Sequence, residues 1–94
     1  MSLKIENEES DSKGSYYILE NEMKVAEMTY SIAGTDRIII DHTEVGESLR
    51  GTGVGEQLVR RAVDDARSKG ISIVPLCPFA RAVFNKNDEL KDVL

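Results

Sequence analysis

Arg50-Gly51-Thr52-Gly53-Val54-Gly55 stands directly before an amphipathic run, and the reading of this stretch decides the reading of the chain. Its three glycines fall at every second position. Glycine has no Cβ, so a turn of this composition exposes successive backbone N–H groups and adopts left-handed dihedrals at little cost. Where such a turn feeds a helix N-terminus, the unpaired donors and the positive end of the helix dipole suit an anion, above all a phosphate. Two other glycine signatures fit worse. No Gly-Lys-Ser/Thr follows, which excludes a P-loop, and Glu56 occupies the third glycine place of a Gly-x-Gly-x-x-Gly dinucleotide turn. A plain tight turn from strand to helix has the same residues and needs no ligand.

Downstream, Val54, Leu58, Ala62 and Ala66, flanked by Val59 and Val63, recur at helical spacing, while Glu56, Gln57, Arg60, Arg61, Asp64, Asp65 and Arg67 stay polar. Lys69 followed by Gly70 closes that helix, since a cation and a left-handed glycine belong at a C-terminus. Ile71 to Leu76 is short and β-branched, which predicts a buried strand. Pro75 cannot donate to a sheet ladder and belongs where two strands part, so a split is expected beside this strand. Pro78 suits the first helical position, and Phe79, Ala80, Val83 and Phe84 predict a second helix to about Lys86. Asn87 to Leu94 is a polar turn whose Leu90, Val93 and Leu94 are available to dock on the core.

Upstream, Leu3 to Glu6 reads as a short strand and Asn7 to Gly14 as a polar, acidic connector. Ser15 to Leu19 is β-rich, and Glu20-Asn21-Glu22 reads as a turn. From Lys24 the pattern alternates, with Ala26, Met28, Tyr30 and Ile32 on one face and Glu27, Thr29 and Ser31 on the other. Ala33 to Asp36 predicts a hairpin turn and Arg37 to Val45 the next strand, followed by a loop from Gly46 to Leu49.

Composition bounds what else the chain holds. Its 94 residues, 40 % of them hydrophobic, suffice for a single domain spanning 1–94 with one core. A net charge of −5 and a pI near 4.8 argue against non-specific binding to nucleic acid or anionic lipid. The apolar runs Ile38 to Ile40 and Ile73 to Cys77 fall far short of a membrane span, and Met1-Ser2-Leu3-Lys4 lacks a signal-peptide core, so a soluble, cytoplasmic protein is expected. One cysteine and one histidine exclude an internal disulfide and make structural zinc untenable.

The chain crosses from the fourth strand through the long helix to the fifth strand, which makes those two strands parallel and sets the helix N-terminus at their carboxyl ends. Ligands of open α/β sheets collect at such an edge, so the glycine turn, His42 and Cys77 are expected to face one site. His42 is placed on the face of Ile38 and Ile40 by simple alternation, where a half-buried sheet histidine is the plain alternative to a catalytic one. Cys77 falls at the N-cap before Pro78, where a helix end favours thiolate over thiol, although a packed, inert cysteine fits the same position.

This succession of four strands, Arg50-Gly51-Thr52-Gly53-Val54-Gly55 opening a helix, then a strand and a helix, resembles the GCN5-related N-acetyltransferase family. Arg50, Gly53 and Gly55 match that family's Arg/Gln-x-x-Gly-x-Gly/Ala motif. Asp41-His42-Thr43-Glu44-Val45, Pro75-Leu76-Cys77-Pro78-Phe79 and the short length resemble a small single-domain subfamily. The resemblance implies an α+β fold, with a mostly antiparallel sheet in the order β-β-β-β-α-β-α and a splayed parallel strand pair. It also implies acetyl-CoA as the bound cofactor, its pyrophosphate held by Arg50, Gly51, Thr52, Gly53, Val54 and Gly55. Cys77 and His42 are then the implied catalytic pair, transferring acetyl to an unidentified primary amine, with an acetyl-cysteine as the route that a thiolate at Cys77 would allow. Glu44 is a further candidate for orienting His42 or attracting a cationic amine. The last helix departs from the family pattern in having no tyrosine to protonate the leaving thiolate, which leaves Cys77, His42 or water for that task. The usual flanking arms of the acceptor pocket have no counterpart here, so an open acceptor site is expected, suited to a large amine or a partner protein. A non-catalytic coenzyme A-binding sensor or interaction module is the alternative from a different functional class. Neither the acceptor nor the oligomeric state is readable from the residues.

Overall fold

The structure is a computed structural model and describes residues 4–94. Four strands run in succession: β1 (Ile5–Glu9), β2 (Lys13–Glu20), β3 (Met23–Ala33) and β4 (Arg37–Val45). A 3-10 turn over Glu47–Leu49 leads to the glycine stretch and to helix α1 (Val54–Lys69), then β5 (Ser72–Pro75), helix α2 (Pro78–Lys86) and a closing 3-10 segment, Asp88–Val93. The mixed α+β class and the predicted element order hold. Asn21 (φ 52°) and Glu22 (φ 67°) make the tight turn between β2 and β3 in left-handed dihedrals, the geometry that matches the twist of a two-residue hairpin.

Three boundaries differ from the expectation. The first strand covers Ile5–Glu9 rather than Leu3 to Glu6, with Leu3 outside the described residues. The acidic connector contracts to Ser10–Ser12, because the glutamates of an edge strand project into water while their main chain still pairs. Asn7 and Glu9 also reach the Tyr30 hydroxyl, at 3.1 and 2.9 Å. Strand β5 is four residues, Ser72–Pro75, rather than Ile71 to Leu76.

The strands form one sheet in the order β1-β2-β3-β4-β5, antiparallel except for the β4–β5 pair. Helix α1, α2 and the closing segment share a single core with one sheet face, comprising Tyr16, Ile18, Met28, Tyr30, Ile38, Ile40 and Ile73 from the strands. The amphipathic stripe of α1 buries Leu58, Val59, Ala62, Val63 and Ala66 there, each branched side chain contributing about 1.5–3 kcal/mol. Gly70 caps the helix at φ 70°, as its place after Lys69 predicts. Leu90 and Val93 are buried and dock on the core, whereas Leu94 stays 53 % exposed; Arg67 fixes the segment by donating to Asp92 and to the Glu89 carbonyl, both at 2.6 Å.

Two irregularities open the sheet at Ile40. On the β3 side the register slips between Thr29↔His42 and Tyr30↔Ile40, leaving Asp41 as an extra residue. On the β5 side the ladder ends at Ile40↔Pro75, after which the Leu76 and Cys77 N–H groups both bond the Ile40 carbonyl at 3.1 Å. The split predicted from Pro75 is therefore present. Beyond Ile40, β4 is held by β3 alone.

Candidate functional site

The glycine stretch is built as its composition requires. Gly51 (φ 81°) and Gly53 (φ 84°) are left-handed, and a Cβ on either would meet nothing within 4 Å. Gly53 is the N-cap of α1 and offers no side-chain cap. The first main-chain bond of the helix runs from Gln57 N–H to the Gly53 carbonyl (3.1 Å), so the N–H groups of Val54, Gly55 and Glu56 have no main-chain acceptor among the described residues. Gly55 also serves packing: a Cβ there would lie 2.6 Å from the tip of the Phe79 ring, which would have to swing away from the first turn of α1. The Thr52 hydroxyl is turned inward to the Leu49 carbonyl, and Arg50 reaches back to the Val45 carbonyl at 3.5 Å.

These groups close one end of a groove of about 590 Å³. The outer half of β4, His42 to Val45, forms one side, and α2 forms the other through Phe79, Ala82, Val83 and Lys86. Arg50, Gly51, Gly53, Val54 and Gly55 all line it; Thr52 does not. The α2 wall was not among the residues singled out as a site, although its spacing carries the signal: positions 79, 82, 83 and 86 form one helical stripe.

His42 and Cys77 are not brought together as a hydrogen-bonded pair. The extra residue at Asp41 restores the alternation one position late, so Thr43 and Val45, opposite Met28 and Ala26, continue the face of Ile38 and Ile40. His42 and Glu44 pair with Thr29 and Glu27 and lie on the opposite face. This corrects the placement of His42 beside Ile38 and Ile40, because strict alternation fails across a bulge. His42 nevertheless borders the groove, since β4 itself is its wall.

Cys77 is the N-cap of α2, as its place before Pro78 predicts, and is 5 % exposed. Its S–H donates to the Thr43 hydroxyl at 3.5 Å, and Thr43 lines the groove while Cys77 lies behind it. Burial pushes the thiol's pKa up. Hydrogen bonding from the Thr43 hydroxyl and from the N–H groups of Ala80, Phe79 and Thr43 more than offsets this and leaves it below the ordinary value. The ground-state thiol makes no capping hydrogen bond, so the helix end acts on the charged form.

A sheet split beside a parallel strand pair, with a glycine-lined helix N-terminus closing the gap, defines a class, and comparison with known proteins names it. A family model described as GCN5-related N-acetyl-transferase matches residues 15–93, and the chain belongs to that family. Its fold matches the solution structure of a protein from Staphylococcus aureus described as GCN5-like. That match has a TM-score of 0.72 and 35 % identity, over 94 % of this chain and 85 % of that one. The ribosomal-protein-alanine N-acetyltransferase of Brucella melitensis shares the fold at a TM-score of 0.67 and 17 % identity, over 82 % of this chain and 62 % of that one. A family member from Elizabethkingia anophelis with acetyl-CoA bound matches at 0.58 and 20 % identity, over 68 % of this chain and 42 % of that one. No curated protein sequence matches this chain significantly. Among the described residues, no helix is long and apolar enough to cross a membrane.

Proposed function

We propose that this protein is an N-acetyltransferase that uses acetyl-CoA and acts on a primary amine. The observation that carries the reading is the groove, closed by the unpaired N–H groups of Val54, Gly55 and Glu56 and walled by Thr43, behind which the Cys77 thiol sits. The N–H groups and the left-handed Gly51 and Gly53 suit a pyrophosphate, with Arg50 adding a positive charge at the same end. Acetyl-CoA supplies an activated acetyl thioester. Cys77 as thiolate would attack the thioester carbonyl, forming an acetyl-cysteine while coenzyme A leaves as its thiolate; amine attack on the acetyl-cysteine would then give the acetamide and return the Cys77 thiolate. His42, exposed on the other face of β4 from Thr43 and bordering the groove, is the base assigned to the proton of an incoming amine.

One observation favours a second reading, a coenzyme A-binding module without catalysis: Cys77 is buried and does not itself line the groove. Intact-protein mass spectrometry after incubation with acetyl-CoA separates the two. The enzyme reading expects one added acetyl group, absent in Cys77→Ser and discharged by an accepted amine. No acetylated protein and no amine-dependent release of coenzyme A would leave the binding module standing.

A further inference from the structure

We propose that Thr43 is a positioning residue for Cys77, its hydroxyl holding the sulfur at the back of the groove and selecting the ionised form. The role in transfer rests on the proposed acetylation of Cys77; the control of the sulfur does not. Three observations point the same way. The bulge at Asp41 turns Thr43, and not His42, onto the face that Cys77 occupies. The two side chains meet at 3.5 Å, the S–H donating. Thr43 also borders the groove that Cys77 does not reach, so it is the polar group between the sulfur and the ligand space.

A hydroxyl suits both states of the sulfur, accepting from S–H and, after rotation, donating to S⁻. The surrounding charges leave it that task. Asp41, His42 and Glu44 belong to the bulge or to the other face of β4. Arg81 on α2 donates to the Leu76 carbonyl at 3.3 Å, Glu56 on α1 is paired with Arg60 at 3.0 Å, and β5 carries no ionisable side chain. The groups that lower the thiol's pKa are accordingly uncharged: the Thr43 hydroxyl and main-chain N–H groups.

The test follows the Cys77 ¹³Cβ resonance of the intact protein against pH, without any ligand, in Thr43→Val, Thr43→Ala, Thr43→Ser and His42→Ala. Loss of one hydrogen bond to a charged acceptor should cut the thiolate fraction at neutral pH by roughly tenfold in Thr43→Val. Thr43→Ala should do the same, which covers a valine variant that fails to fold, and Thr43→Ser should restore the titration. An unmoved titration in the valine or alanine variant, or an equal displacement in His42→Ala, overturns the proposal. A displaced titration in a protein that never becomes acetylated supports Thr43 as the group controlling the sulfur while removing the acetyl-cysteine reading.

Discussion

Replacing Gly53 by Asn and by Asp separates the shape of the turn from its charge preference. Gly53 sits at φ 84°, where a residue with a Cβ is disfavoured by roughly 1–2 kcal/mol, Asn and Asp least among them. A Cβ would meet nothing within 4 Å, so neither variant adds a clash. Against a typical domain stability of about 5–15 kcal/mol both should fold, with melting temperatures about 4–8 °C lower per kcal/mol lost. The two side chains are nearly isosteric and both tolerate the left-handed region, so their difference in ligand affinity reports charge. At a separation of about 5 Å and an effective dielectric near 20, one carboxylate costs a bound phosphate about 3 kcal/mol per unit charge. Exposure and salt reduce this, and a 10- to 100-fold weaker Kd for coenzyme A in Gly53→Asp than in Gly53→Asn is expected, about 1.4–2.7 kcal/mol. Titration calorimetry at low and high salt reads the ratio, which should shrink as salt rises. Equal affinities for the two variants would mean that no phosphate lies against this turn.

Other outcomes concern the scaffold. Gly14 lies opposite Tyr30, and a Cβ there would overlap the Tyr30 ring, which is 2 % exposed; Gly14→Ala should cost about 1–3 kcal/mol in urea unfolding, and a loss below about 0.5 would show that the ring moves freely. Burial first, with the Glu9 carboxylate adding and Asn7 opposing, pushes the Tyr30 phenol up to about 12 from 10.0. A raised pKa means that the folded state favours the neutral phenol, so the associated stability, of order 3 kcal/mol, is complete below pH 10 and is lost between about pH 10 and 12. Tyr30→Phe should flatten the alkaline limb of stability against pH, and an unchanged limb would assign it to other groups.

The fold was legible wherever a residue's own chemistry fixes its backbone. Gly70 after Lys69 ends α1, Pro78 starts α2, and Pro75 marks the last rung of the parallel pair, because each limits the dihedrals or donors available at its own position. The sequence signal fails where partners decide. Nothing in Arg37 to Val45 distinguishes a regular strand from one with an extra residue, since Asp41 is polar and solvent-exposed under either register. That single residue exchanges His42 for Thr43 beside Cys77. The glutamates of β1 hid a strand for a related reason, as an edge strand needs no apolar side chains when Ile5 and the Tyr30 contacts anchor it. At the site, Arg50, Gly51, Gly53, Val54 and Gly55 line the groove, and Ala82 and Lys86 enter it on the α2 stripe that begins at Phe79. Helical spacing groups that stripe, but only the packing of α2 across from β4 turns it toward the groove.

The half of β4 beyond Ile40 has a consequence for solution behaviour. Where β5 has ended, its outward main-chain groups form a free edge of the sheet, and bare edges invite another chain to pair with them. Here that half of β4 forms one side of the groove, with α2 and the start of α1 lining the rest, so the edge faces helices of its own chain. The outermost strand on the other flank is guarded differently, by the glutamates of β1. Helix cover at one end of the sheet and charge at the other both work against edge-to-edge pairing.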